Sequence, residues 1–236
     1  IIAQPDTGDG KDITRLGEPV MFWGVSSGSV DSMVANYTAT GKWRRQDDLT
    51  PGGENNRRPD RAVIVYANLI RQYFKDTVPI VIGGIEASLR RVAHYDFRDN
   101  KVRRSILFDA KADILAYGMA ERTVVELARC LKSGKDFHGL RGICYIAGYT
   151  INDYLYLPSY EDAAQNKGDF MEMSRIFFSN SDPVSAKGMV QKHGDRYLIH
   201  NPPALPLSSE ELDRVYELPY ERETHPYYKK IGAVRA

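Results

Sequence analysis

Cysteine is almost missing from this chain, with only Cys130 and Cys144 among 236 residues. Two cysteines exclude a disulfide framework, and these two lack metal-ligand spacing. Cys130 falls in a helical pattern and Cys144 in a strand pattern, so both are expected as buried, reduced thiols of a cytoplasmic protein. Histidine is also sparse. The five histidines are scattered, and no HExxH or CxxC spacing occurs. Charge of one sign is absent as well: the formal net charge is +1, which leaves no global field to recruit nucleic acid or an acidic membrane. No apolar run approaches the length of a membrane span, so no membrane partner is expected. The chain opens Ile1-Ile2-Ala3-Gln4-Pro5 without a basic leader, and it stops at Gly232-Ala233-Val234-Arg235-Ala236 without a terminating pattern. Both ends read as cuts from a longer polypeptide.

What is present is a core-forming composition, 42% hydrophobic, arranged in alternating strand and helix signals from residue 1 to 147. Val20 to Val25 is an apolar strand. Ser26-Ser27-Gly28-Ser29 follows it, with Val30, Met33, Val34 and Tyr37 at helical spacing. Thr40 to Arg58 is a polar loop whose length exceeds an ordinary connection. Pro59-Asp60 is expected to open a helix with Ala62, Tyr66, Leu69 and Tyr73 on one stripe. Pro79 to Ile82 is a buried strand ending at Gly83-Gly84. Asp113 to Gly118 is another, followed by a helix from Glu121 that should bury Val124, Leu127, Ala128 and Leu131 and end at Gly134. Ile143 to Ala147 is the last strand of this part. Such alternation predicts parallel βαβ units, so the fold class is α/β, a Rossmann-like or flavodoxin-like parallel sheet with helices on both faces.

From 148 to 236 the composition changes: seven of the twelve prolines and more than half of the fifteen tyrosines lie there. Ser159 with Asp162 and Ser208 with Glu211 have capping-box spacing. The helix after Ser159 should turn Phe170, Met173 and Phe177 inward. Met189 to His200 predicts a hairpin around His193-Gly194-Asp195, and Asn201-Pro202-Pro203 stops any further ladder. This part reads as a Pro/Tyr-rich extension with short helices.

The candidate site lies where strands end, because ligands of open α/β sheets bind at the carboxyl ends of the strands. Gly83 and Gly84 permit close approach, whether of a ligand or simply of a tight strand-to-helix turn. The hydroxyls and amides of Ser26, Ser27 and Gly28 either meet an anion or cap a helix. Glu86, Arg90, Arg91, His94 and Tyr95 follow the glycines in a strongly basic segment that ends at Arg104. Its arginines suit phosphate or carboxylate groups, an RNA backbone, or an internal ion-pair network with Glu86, Asp96 and Asp99. His94-Tyr95-Asp96 is a row of proton-active side chains and not a triad by itself.

Several long strings now carry a resemblance: PDRAVIVYANLIRQYF, PIVIGGIEASLRRVAHYDF, KVRRSILFDAKADILAYGMAE and NPPALPLSSEELDRVYELPYERETHPYY. Together they resemble the amino-terminal part of the YgiQ-type radical SAM proteins. The resemblance implies a cobalamin-binding-like domain over residues 1–147, lacking its first strand and helix, and an extension over 148–236 that leads to a radical SAM barrel outside this chain. It implies a [4Fe-4S] cluster on a CxxxCxxC motif, and S-adenosylmethionine, in that barrel and none in these residues. Cys130 and Cys144 do not match the motif. Cobalamin is compatible with the implied fold, but the DxHxxG motif of base-off binders is missing. The resemblance further implies an accessory role, capping the barrel and shaping access of an unknown substrate, with RNA binding or cobalamin or nucleotide carriage as the alternatives.

Overall fold

A computed structural model describes residues 2–232 and 234. The first half runs α1 (Lys11–Thr14), β1 (Trp23–Val25), α2 (Ser32–Asn36), α3 (Ala62–Tyr73), β2 (Ile80–Ile82), α4 (Gly84–Leu89), β3 (His94–Asp96), β4 (Lys101–Arg103), α5 (Ile106–Asp109), β5 (Ile114–Ala116) and α6 (Glu121–Ser133). The second half runs β6 (Ile143–Ala147), β7 (Leu155–Leu157), α7 (Tyr160–Gln165), α8 (Lys167–Ser179), β8 (Met189–His193), β9 (Arg196–His200), α9 (Ser209–Tyr216) and α10 (Pro226–Lys229).

Seven strands form one sheet in the order β1-β2-β5-β6-β9-β8-β7, and β3 with β4 makes a separate hairpin. At the far edge of the sheet β7 lies parallel to β8, with Leu155 opposite Met189. Parallel pairing also joins β1, β2 and β5, with Trp23 opposite Ile80 and Val81 opposite Ile114. Short β-branched strands suit this position, since both faces are covered. Ile80 and Ile82 join one apolar cluster and Val81 the other, on opposite faces of the sheet.

The expectation of a parallel sheet fails at β6, which is antiparallel to β5, with Ala116 opposite Ile143. The cause lies in the segment after α6. A helix of 13 residues advances about 20 Å, and the seven residues 135–141 can return about 23 Å when extended. They bring the chain back to its starting rim, where Thr123 Oγ1 donates to Arg141 O at 3.1 Å and Tyr117 N to Gly142 O at 2.9 Å. The β8–β9 hairpin forms as expected and extends the same sheet, β9 pairing antiparallel with β6. The sheet therefore continues past residue 147.

Several local expectations shift. Val20 is 95% exposed and stands outside β1. α3 begins at Ala62, because Arg61 adopts a left-handed conformation (φ 52°) that the helix cannot include. Tyr73 and Val124 are exposed, while Thr123 and Leu127 are the buried residues of α6. The helix after Ser159 is broken at Asn166 into α7 and α8, and Met173, Phe170 and Phe177 still face the core. The Ser208–Glu211 capping box is present at α9.

Candidate functional site

The carboxyl ends of β1, β2 and β5 bring the 26–29 loop, Gly83-Gly84 and Gly118 to one rim. Gly84 opens α4 with φ 78°, and a Cβ there would stand 3.2 Å from Ser26 Cβ; one on Gly83 would stand 3.2 Å from Ala116 O. The two glycines thus let neighbouring strand ends close on each other. Ser27 is buried and donates to Val30 O at 2.7 Å, and Ser26 Oγ accepts from Gly28 N at 3.3 Å. Helix α2 is capped by Asp31, whose carboxylate accepts from Met33 N at 2.9 Å, and not by the serines.

Glu86 is fully buried and joins two helices. Its Oε2 accepts from Ser32 N at 2.8 Å and its Oε1 from Val63 N at 2.9 Å, so one carboxylate meets the N-termini of both α2 and α3. Arg90 forms an ion pair with Asp31 and donates to Glu86 O at 3.2 Å. Arg91 has a different setting. It lies over the Tyr117 ring at 4.7 Å and the Phe177 ring at 4.5 Å, and its Nε donates to His200 Nε2 at 3.0 Å. Burial lowers the Arg91 guanidinium from its ordinary value and pushes His200 down to about 3, so the imidazole is the neutral acceptor.

His94 and Tyr95 stand apart on the β3–β4 hairpin. His94 Nδ1 donates to Val92 O at 3.2 Å, and burial pushes the imidazole down to about 4. The Tyr95 hydroxyl donates to Asn100 Oδ1 at 2.6 Å across its own hairpin. The basic segment is largely self-neutralised. Arg61 reaches Asp96 at 2.6 Å and Asp99 at 2.8 Å, Arg103 reaches Asp109 at 2.9 Å, and Arg104 reaches Asp109 at 2.6 Å.

A cavity of about 1820 Å³ borders the rim and is lined by Ser26, Ser27 and Gly28. The other site candidates, from Gly83 to Tyr95, do not line it. It is also lined by Arg58 and Tyr66, which the sequence offered only as the end of a polar loop and as part of a helix stripe, not as site residues. Arg58 is 5% exposed, with Nη1 2.9 Å from Asp47 Oδ2, but the alignment makes no hydrogen bond there and Nε has no partner. The Tyr66 hydroxyl is also buried without a partner, and desolvation pushes it up to about 12, against a smaller opposing influence from Arg58. The one available signal was the length of the 40–58 loop that ends at Arg58.

The chain also matches known proteins over its whole length. The family model described as Radical SAM N-terminal matches residues 1–236. The chain belongs to that family. It is 56% identical over its whole length to a UPF0313 protein of Fusobacterium nucleatum and covers 42% of that protein. It is 52% identical to a UPF0313 protein of Thermotoga neapolitana, again covering 42%, and 48% identical to one of Clostridium botulinum strain Okra, covering 37%. The chain thus spans about two fifths of the length of these relatives. No solved structure matches it.

The family implies an iron-sulfur cluster, and the residues of this chain do not fit one. Cys130 is half-buried on α6 and Cys144 is buried on β6, its thiol pushed up to about 12 by desolvation and so held away from the thiolate that iron needs. Among the described residues no three His, Cys, Asp or Glu side chains gather as a metal site. No helix among them is long and apolar enough to cross a membrane.

Proposed function

We propose that these residues form an accessory module that covers the mouth of a radical SAM barrel in the same polypeptide and shapes the access of its substrate. In this reading β1, β2 and β5 are the remnant of a Rossmann-like, cobalamin-binding-like sheet, and the residues beyond 148 lead toward the barrel. The [4Fe-4S] cluster and S-adenosylmethionine belong to the barrel. The supporting observation is an apolar rim. Ile85 and Leu89, one turn apart on α4, are 44% and 61% exposed, and Met119 is 70% exposed. Ser88 Oγ accepts from Gly118 N at 3.2 Å and ties these two segments together. Apolar side chains gathered at a rim favour a covering partner.

The test separates the two parts. Produced as one polypeptide ending at residue 236 and another carrying the barrel, they should associate. Leu89→Asp combined with Met119→Asp should weaken that association at least about tenfold, a change of about 1.4 kcal/mol, read by analytical ultracentrifugation. Unchanged affinity removes the rim from the interface. The RNA reading gains no support from the geometry, because Arg90, Arg103 and Arg104 already face carboxylates of this chain.

A further inference from the structure

At the carboxyl rim Arg91 carries a charge that no carboxylate among the described residues balances. Its neighbour Arg90 pairs with Asp31, whereas the Arg91 guanidinium meets only a carbonyl, a neutral imidazole and two rings. The residue is half-buried, and desolvation works against its charged form. Two groups act on it electrostatically, the Cys144 thiol and the Tyr117 hydroxyl. Neither supplies a negative charge, because burial pushes both upward and keeps them protonated. A half-buried cation without a counter-charge is costly, and such charges are ordinarily paired.

The guanidinium is also held in place before anything binds. The Tyr117 and Phe177 rings lie 4.7 Å and 4.5 Å from it, Nε donates to His200 Nε2 at 3.0 Å, and Nη1 donates to Ser88 O. Nη2 has no partner among the described residues and is open to solvent. Nη2 and the second N–H of Nη1 are therefore the open donors, and together they suit two oxygens of one oxyanion. β5 and β9 are both antiparallel to β6, so Tyr117 after β5 and His200 at the end of β9 share one rim. Ser88 joins this spot to the apolar rim, its carbonyl accepting from Arg91 and its Oγ from Gly118 N at 3.2 Å.

We propose that Arg91 is an oxyanion site, which holds the carboxylate or phosphate group of the substrate whose access the rim shapes. This rests on the reading of the rim given above and adds to it the class of substrate, a small anionic molecule. The place of Arg91 at strand ends favours a ligand, because ligands of α/β sheets bind there. A guanidinium fixed in advance lowers the cost of holding a small anion. The site suits one oxyanion and not a polyphosphate chain, since Arg90, Arg103 and Arg104 beside it are already taken by carboxylates of this chain.

Calorimetric titration of the full natural polypeptide that carries these residues tests this. The probes are inorganic phosphate and, separately, acetate, at an ionic strength fixed with chloride. At least one of them should bind saturably. Arg91→Met keeps an unbranched apolar stem between the rings and should weaken that binding at least about tenfold. Should this variant fail to fold, the unaltered polypeptide serves: phenylglyoxal modification of Arg91, read by peptide mass spectrometry, should slow when the anion is present. Three results would overturn the proposal: no saturable binding of either anion, binding unchanged in Arg91→Met, or modification of Arg91 at the same rate with and without the anion. If neither anion binds and Arg91→Met instead weakens the association of the two separated parts, the partner of Arg91 is a carboxylate of the barrel and the substrate assignment falls. The Leu89 and Met119 substitutions keep the two readings apart. Anion binding that persists where the separated parts do not associate removes the covering role and leaves the Arg91 site standing.

Discussion

Glu86 shows how a residue that reads as a site carboxylate can be structural. It is fully buried and accepts from the first turns of two helices, so its removal leaves Ser32 N and Val63 N unpaired in the core. Glu86→Ala should cost about 2–4 kcal/mol, measured as a shift in the urea midpoint. The buried histidines give a second expectation at this scale. Desolvation pushes His94 down to about 4 and His193 and His200 down to about 3. In the unfolded chain each titrates near about 6.5. The unfolded state therefore binds more protons below that value. The stability these groups contribute is fully present above about pH 6.5 and is lost as the pH falls toward their folded values, at about 1.4 kcal/mol per pH unit for each histidine. Urea titrations between pH 7 and 5 should show that slope, and His200→Gln should reduce it by about a third. A slope unchanged by that substitution would mean that the His200 ring takes up its proton equally in the folded and the unfolded chain.

The basic segment is the clearest case at the scale of an element. In sequence it is a run of arginines; in the fold it is α4, a hairpin and the start of α5, laced by ion pairs. Arg90 and Asp31 are largely buried, with side chains 18% and 6% exposed. Arg90→Ala leaves Asp31 without its cation, and it should destabilise the fold by about 2–3 kcal/mol. The same change should not alter nucleic-acid binding. Filter binding at low salt should retain no RNA with either protein, whereas salt-dependent retention lost in Arg90→Ala would revive a nucleic-acid role. The interleaved acidic residues were visible in the sequence. Which arginine meets which carboxylate was not, because Asp31 and Arg61 come from distant elements.

At the scale of the whole molecule, the described residues form a seven-stranded sheet beside a separate hairpin and gather no cluster-binding set. Anaerobic reconstitution of residues 1–236 with iron and sulfide should therefore give no cluster absorbance. Mixing with hydroxocobalamin should give no spectral shift, since no histidine stands in a DxHxxG motif. A stable four-iron cluster on this chain would falsify the assignment of the radical chemistry to another part of the polypeptide.

The α/β class, the positions of β2, β5, β6 and the β8–β9 hairpin, and the family itself follow from local signals. Apolar runs, glycine stops and capping pairs are properties of neighbouring residues, and the family strings are contiguous. Strand direction and the surroundings of the site do not follow from them. The reversal of β6 depends on residues 135–141 retracing α6, and no local pattern of β6 records its direction. The cavity beside β1 joins Arg58 from a long loop, Tyr66 from α3 and Ser26 from a strand end. Their chemistry as a group arises only when tertiary packing removes water from donors that, in the sequence alone, are ordinary polar residues.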